Sequence, residues 1–255
     1  MTRVALVTGA ARGIGAATVR RLAADGWAVV AVDSCADDPV LPYRMGSPAQ
    51  LEALRGEGEV TTLIADARQP QDIVAFAERT YGGLDAAFAV AGVIAGGVPL
   101  WEMPAAQLDA VLATDLHAVI ALARAAVPAL LRRPEPRQGR FLAVASAAAT
   151  RGLPMLAAYC AAKAGVTGLV RALAVELAGT GITVNAVSPG STDTPMLTES
   201  ARLYGMPAAQ AFASQQPIGR LLAPDEIGAL LAWLAGGEAN AITGAILPVD
   251  GGLAL

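Results

Sequence analysis

The chain has 255 residues, 55% of them hydrophobic and 16% charged, with a formal net charge of −4 and a mean hydropathy of +0.50. That is too apolar for disorder and enough for a large core, and the scattered basic residues lack the clustering a nucleic-acid or anionic-membrane partner would need. One histidine and two separated cysteines, Cys35 and Cys160, argue against a metal site and against a disulfide framework.

Val4-Ala5-Leu6-Val7 is a short apolar run bounded by a glycine turn, so it reads as a buried parallel strand. Thr8-Gly9-Ala10-Ala11-Arg12-Gly13-Ile14-Gly15 follows and opens an amphipathic helix that stops at Gly26. Strand, glycine turn and helix start in that order predict a pyrophosphate site: the backbone can come close, and the helix N-terminus offers N–H groups. The next strand, Ala28–Val32, ends at Asp33, a carboxylate suited to ribose hydroxyls and repulsive to a 2′-phosphate. NAD is therefore expected over NADP, although Arg12 offers a charge that a phosphate could use.

Residues 34–58 are irregular and proline-bearing, with Tyr43 among them, and are expected to fold over the adenosine half of a cofactor. A short helix is expected over 49–55, with Ser47 as its N-cap and Pro48 at its first position. The third strand, Val60–Ala65, ends at Asp66, whose carboxylate could meet an adenine amino group. A helix through Tyr81 leads to a fourth strand, Leu84–Val90, which ends in Ala91-Gly92. One long helix is predicted over 105–131, carrying Asp115 and His117. The fifth strand, Arg140–Ala145, delivers Ser146, and a helix over about 155–178 carries Tyr159 and Lys163.

Lys163 is the only lysine among 18 basic residues, and it lies four positions after Tyr159, on the same helical face. An ammonium beside a phenol lowers its pKa, a task that the larger planar guanidinium does not match. With Ser146, the three groups are equipped to move a proton on or off an alcohol oxygen. The sixth strand, Ile182–Val187, turns at Ser188-Pro189-Gly190, and residues 193–222 form an apolar, methionine-bearing segment suited to line a pocket or act as a lid. A helix from Pro224 and a last strand, Ala245–Val249, follow, and Pro248 suggests that this strand lies at an edge. Strands alternating with helices predict an α/β fold: one Rossmann-like, doubly wound parallel sheet of seven strands in a single domain over 1–255. The start of the chain has no signal-peptide pattern, and its apolar stretches carry charges or breakers, so a cytoplasmic protein is expected.

Across its whole length the sequence resembles the short-chain dehydrogenase/reductase family. The resemblance rests on Thr8-Gly9 with Gly13 and Gly15, Asp33, Asp66, Ser146 with Tyr159 and Lys163, Pro189-Gly190, Thr194, and Asp250-Gly251-Gly252. It implies a nicotinamide-dependent alcohol dehydrogenase or carbonyl reductase, usually a homotetramer acting on a small molecule. Ser146, Tyr159 and Lys163 would be catalytic. Gly9, Arg12, Gly13, Ile14, Gly15, Asp33, Ser34, Asp66, Ala67, Ala91, Gly92, Pro189, Gly190, Thr192 and Thr194, with Tyr159 and Lys163, would hold NAD. Two departures stand out: Ala89-Val90-Ala91-Gly92 replaces the family's Asn-Asn-Ala-Gly, and Asp115 stands where its catalytic asparagine is expected.

The segment around Asp33 to Asp37 with Tyr43, and the runs 91–97 and 188–194, also resemble the mycofactocin-coupled branch. That resemblance implies NAD that is not released and electrons passed to a peptide-derived carrier. An ordinary dehydrogenase with exchangeable NAD(H) and a non-catalytic NAD-binding protein stay open. The residues around Ile94 to Trp101, Arg151 to Met155 and Met196 to Phe212 are mostly apolar, which favours a hydrophobic secondary alcohol or its ketone.

Overall fold

The computed structural model describes residues 2–255; Met1 lies outside them. Seven parallel strands form one sheet: β1 (Val4–Thr8), β2 (Ala28–Asp33), β3 (Val60–Ile64), β4 (Ala86–Ala89), β5 (Gly139–Val144), β6 (Ile182–Pro189) and β7 (Ile246–Val249). Their order is β3-β2-β1-β4-β5-β6-β7, so the sheet reverses direction of growth between β1 and β4 and opens a crevice at the strands' C-terminal ends. Pro248 sits in the terminal strand β7, where its missing N–H faces no further ladder.

Eight α-helices cover the sheet: α1 (Gly13–Ala24), α2 (Pro48–Glu52), α3 (Pro70–Tyr81), α4 (Ala105–Leu112), α5 (Ala118–Leu131), α6 (Ala157–Glu176), α7 (Pro195–Leu203) and α8 (Pro224–Ala235). Strand side chains alternate between the two faces. Leu6, Val30 and Val32 pack with Ile73 of α3, Leu122 of α5 and Val166 of α6. Ala5, Val7 and Val29 pack with Val19 and Leu22 of α1 and Leu231 of α8. Both faces are dry, which is why the strands read as unbroken apolar runs. The spans Ala105–Leu131 and Ala157–Glu176 are long and apolar enough to cross a membrane by length and composition alone. In this fold their apolar faces pack against the sheet, and each carries charged residues, Asp115 and Lys163 among them.

The expected helix over 105–131 is interrupted. A π-helical turn at Ala113–His117 separates α4 from α5 and turns Asp115 fully inward. Hydrophobic spacing does not register the one extra residue of such a turn, and π turns concentrate at functional sites. The expected helix over 49–55 divides into α2 and a 3₁₀ turn at Ala53–Glu57, with Ser47 and Gln50 forming a reciprocal capping box. β6 runs on through Ser188-Pro189, which were expected to turn, because both pair with β7. The 193–222 segment holds α7, capped by the Thr194 hydroxyl, and a 3₁₀ helix at Ala209–Gln215.

Candidate active site

Two adjoining cavities, of about 510 and 480 Å³, line the C-terminal edge of the sheet. The first runs along the glycine turn, past Asp33, Asp66 and Ala67, to Ala91, Gly92 and Thr194. The turn is tight enough that a Cβ at Gly15 would overlap the Gly9 carbonyl. α1 begins without a side-chain cap, so its first-turn N–H groups are left for something in the cavity, as a pyrophosphate requires. The donor chemistry of this cradle fits a dinucleotide.

Asp33 is fixed by backbone amides. Its carboxylate accepts from Ala11 N at 3.1 Å and from Cys35 N at 2.9 Å. Arg12, the residue considered for a phosphate, instead donates to the Arg44 carbonyl at 2.7 Å. Asp66 lines the cavity but is gripped by Arg68, with contacts down to 2.6 Å that hold its carboxyl below the usual range. An adenine amino group would share that carboxylate with a guanidinium.

Residues 34–47 form a strap along one wall of this cavity, with Ser34, Ala36, Asp37, Asp38, Pro39, Met45 and Gly46 lining it. Asp37 ties the strap to itself, accepting from Arg44 at 2.9 Å and from Met45 N at 2.8 Å. Gly46 lets the returning strand press on the ribose end, because a Cβ there would lie 2.6 Å from that of Ala11 and 3.0 Å from Asp33 Oδ1. The far end of the strap docks beyond the cavity. Leu41 is buried among Val93, Ile94, Val111 and Tyr159, and Ile94 N donates to the Tyr43 hydroxyl at 2.9 Å. Burial pushes the Tyr43 phenol well above its ordinary pKa, so it stays neutral and keeps this bond.

The second cavity contains the reactive groups. Ser146 ends β5 and caps a 3₁₀ turn at Ala147–Ala149, accepting from Ala148 N at 3.1 Å. Its hydroxyl shares the second cavity with the Tyr159 phenol, whose pKa it helps to lower. Tyr159 and Lys163, one turn apart on α6, are both buried. Lys163 Nζ lies 5.6 Å from the centre of the Tyr159 ring, donates to the Val144 carbonyl at 3.1 Å and stands 3.2 Å from Asp115 Oδ1. The same Asp115 oxygen accepts from Val93 N at 3.2 Å.

The charges set the direction of each titration. Burial raises Tyr159 above the ordinary phenol; Lys163 opposes this, and Asp115 adds to it. The sequence expectation of a lowered phenol pKa is corrected on this point: burial outweighs the ammonium, and the aspartate partly cancels it. Lys163 is raised, because the carboxylate and phenol that face it overcome its desolvation. Asp115 is raised as well, chiefly by complete burial, with Lys163 opposing.

Pro189, Gly190 and Thr192 line the second cavity at the end of β6, and Thr194 lines both. Trp101 and Met155, expected in the pocket, are outside it; Trp101 is 85% exposed. Leu253 lines it unforeseen, and Ser200 and Gln215 add polar groups to it. Leu253 arrives from the end of the chain, which no local spacing signals; Ser200 and Gln215 lay inside the segment flagged as apolar. Among the described residues, no cluster of three or more His, Cys, Asp or Glu is arranged to hold a metal.

Comparison with known proteins decides the lineage. Residues 9–254 match a family model described as enoyl-(acyl carrier protein) reductase. The chain belongs to the short-chain dehydrogenase/reductase family. It is 39% identical to a cis-4-hydroxycyclohexanecarboxylate dehydrogenase of Sinomonas cyclohexanicum, over 98% of this chain and 96% of that one. In fold it resembles carveol dehydrogenase from Mycobacterium avium in complex with NAD, with a TM-score of 0.91 and 29% identity over 98% and 97% of the two chains. A levodione reductase structure gives a TM-score of 0.89 at 30% identity over 99% and 97%. The chain is an oxidoreductase of the alcohol/ketone kind. Its seven-stranded parallel sheet is the Rossmann-like sheet of this family.

Proposed function

We propose that this protein interconverts a hydrophobic secondary alcohol and its ketone, using NAD that it retains between turnovers and that mycofactocin re-oxidises. The observation that carries the retention is the strap: it walls the cofactor cavity and is fastened beyond it, where Ile94 N donates to the Tyr43 hydroxyl. A preference for NAD over NADP rests on the amide-fixed Asp33 carboxylate and on the engagement of Arg12 with Arg44. Relatives that are secondary-alcohol and cyclic-alcohol dehydrogenases, together with the apolar second cavity, support the substrate class.

Bound NAD supplies the hydride acceptor at its nicotinamide ring. Tyr159 takes the hydroxyl proton, and Ser146 donates to the substrate oxygen as its charge changes. Lys163 holds positive charge beside the phenolate and is itself neutralised in part by Asp115, 3.2 Å away. Thr194 and the backbone after Pro189-Gly190 orient the nicotinamide carboxamide. The same reading takes the chain as one catalytic domain over 1–255, cytoplasmic and homotetrameric.

The test is oxidation of an alcohol panel by exhaustively dialysed enzyme with an artificial electron acceptor, with and without added NAD. Turnover that needs the acceptor but no added NAD is expected, with cofactor absorbance surviving dialysis. Ready loss of the cofactor would return the protein to the ordinary, exchanging kind. Tyr43→Phe removes the acceptor for Ile94 N, and a net hydrogen bond of about 1 kcal/mol makes cofactor release about five times faster. Unchanged release in that variant would remove Tyr43 from the retention device.

A further inference from the structure

The second cavity carries one charge that the proton chemistry does not use. Its walls include Ile94, Leu153, Leu156, Met196, Met206 and Phe212, and no aspartate or glutamate faces into it. Two cations do. Lys163 is paired with Asp115. Arg151 has no carboxylate within ion-pair distance among the described residues, whereas ten of the other 16 arginines are paired with one.

Arg151 is held in place. It follows the 3₁₀ turn after Ser146, and its own amide donates to the Ala147 carbonyl at 2.9 Å. One guanidinium N–H donates to the carbonyl of Leu253, in the C-terminal tail that closes the same cavity. A guanidinium presents five N–H donors, so this anchor leaves a fork free for a bidentate partner. An arginine that served only to tie down the tail would need one donor and no place in the cavity wall.

We propose that the substrate is an anionic alcohol, a hydroxy acid whose carbinol meets Ser146 and Tyr159 and whose carboxylate is held by Arg151, with an apolar body between them. This rests on the alcohol/ketone reading of the site and adds its specificity determinant. A carboxylate suits the geometry better than a phosphate, because a dianion in this cavity would have only one uncompensated cation to meet it. A volume of about 480 Å³ suits a small ring or short chain between the two ends.

The experiment compares a hydroxycyclohexanecarboxylate, as cis and trans isomers, with its uncharged methyl ester, using NAD-loaded enzyme and an artificial electron acceptor. Wild type is expected to favour the acid in kcat/KM by about 10- to 100-fold, the range of a charge-assisted pair. Arg151→Gln, which also loses the Leu253 anchor, should lower kcat/KM on the acid well beyond any fall on the ester, so that the preference for the acid is lost. Arg151→Lys should keep part of it, because it retains the charge without the fork. Calorimetric binding of cyclohexanecarboxylate against cyclohexanecarboxamide to the same holoenzymes reads the site without turnover, and only the acid's affinity should depend on Arg151. Equal treatment of acid and ester by wild type, or a parallel fall on both in Arg151→Gln, overturns the inference and leaves the alcohol/ketone reading standing. No turnover of any alcohol overturns that reading instead, and the calorimetric arm then decides whether Arg151 binds carboxylates.

Discussion

Tyr159→Phe is expected to bind NAD as wild type does and to lose turnover by about 10²- to 10⁴-fold, the range that a positioned acid or base contributes. The ring stays, with its packing against Leu41 and Ile94, so the fold has no reason to change. Only the phenolic hydroxyl is gone. Near-normal activity would show that another group moves the proton. Lys163→Arg should fail as well: the position is buried, and its ammonium must reach both the Val144 carbonyl and Asp115. A planar guanidinium is longer and cannot make both contacts from the same Cα without displacing Tyr159. The pH dependence has a definite sign. Alcohol oxidation uses the phenolate, and burial raises Tyr159 above the ordinary phenol. The oxidation rate should therefore climb with pH through the alkaline range, while ketone reduction, which uses the protonated phenol, should decline along the same limb. An oxidation profile flat above neutrality would contradict the assignment.

Much of this was legible in the sequence, and the parts that were not share a cause. The strands stood out because both faces of a parallel sheet are dry, so each is an apolar run with a turn at its end. The glycine turn, Ser146 and the lone Lys163 were legible because each depends on local spacing within one element. What escaped depends on contacts across the chain. Leu253 enters the substrate cavity from the end of the sequence, and Trp101 turns away from it. The latch of Tyr43 on Ile94 joins residues 51 positions apart. The direction of the Tyr159 shift follows from a balance of burial against two opposite charges, and sequence order weighs neither.

Asp115 stands where the family resemblance leads one to expect an asparagine, and its two replacements should behave differently. Asp115→Leu leaves the Lys163 ammonium buried without its counter-charge and removes the acceptor of Val93 N. Breaking a buried pair in this way costs about 3–5 kcal/mol, measurable as a fall in the denaturant midpoint. Asp115→Asn keeps the shape and an oxygen for Val93 N, so most of that stability should remain. Its effect lies in the titration. The groups facing the Tyr159 phenol are Lys163, Asp115, Ser146 and Cys160, and the carboxylate is one of the influences that raise it. With an amide in its place the Lys163 charge acts on the phenol unopposed, so the rising limb of alcohol oxidation should move to lower pH. Tyr159, Lys163 and Asp115 titrate together, so the profile reports the set as a whole. An unmoved limb, with the stability of Asp115→Leu also unchanged, would mean that the carboxylate is not coupled to the base. Asp115 and Tyr43 hold the successive amides of Val93 and Ile94, which joins the cofactor strap to the proton site through a single peptide unit. Combining Asp115→Asn with Tyr43→Phe should therefore give an effect on cofactor release that is not the sum of the two, as residues sharing one structural element do.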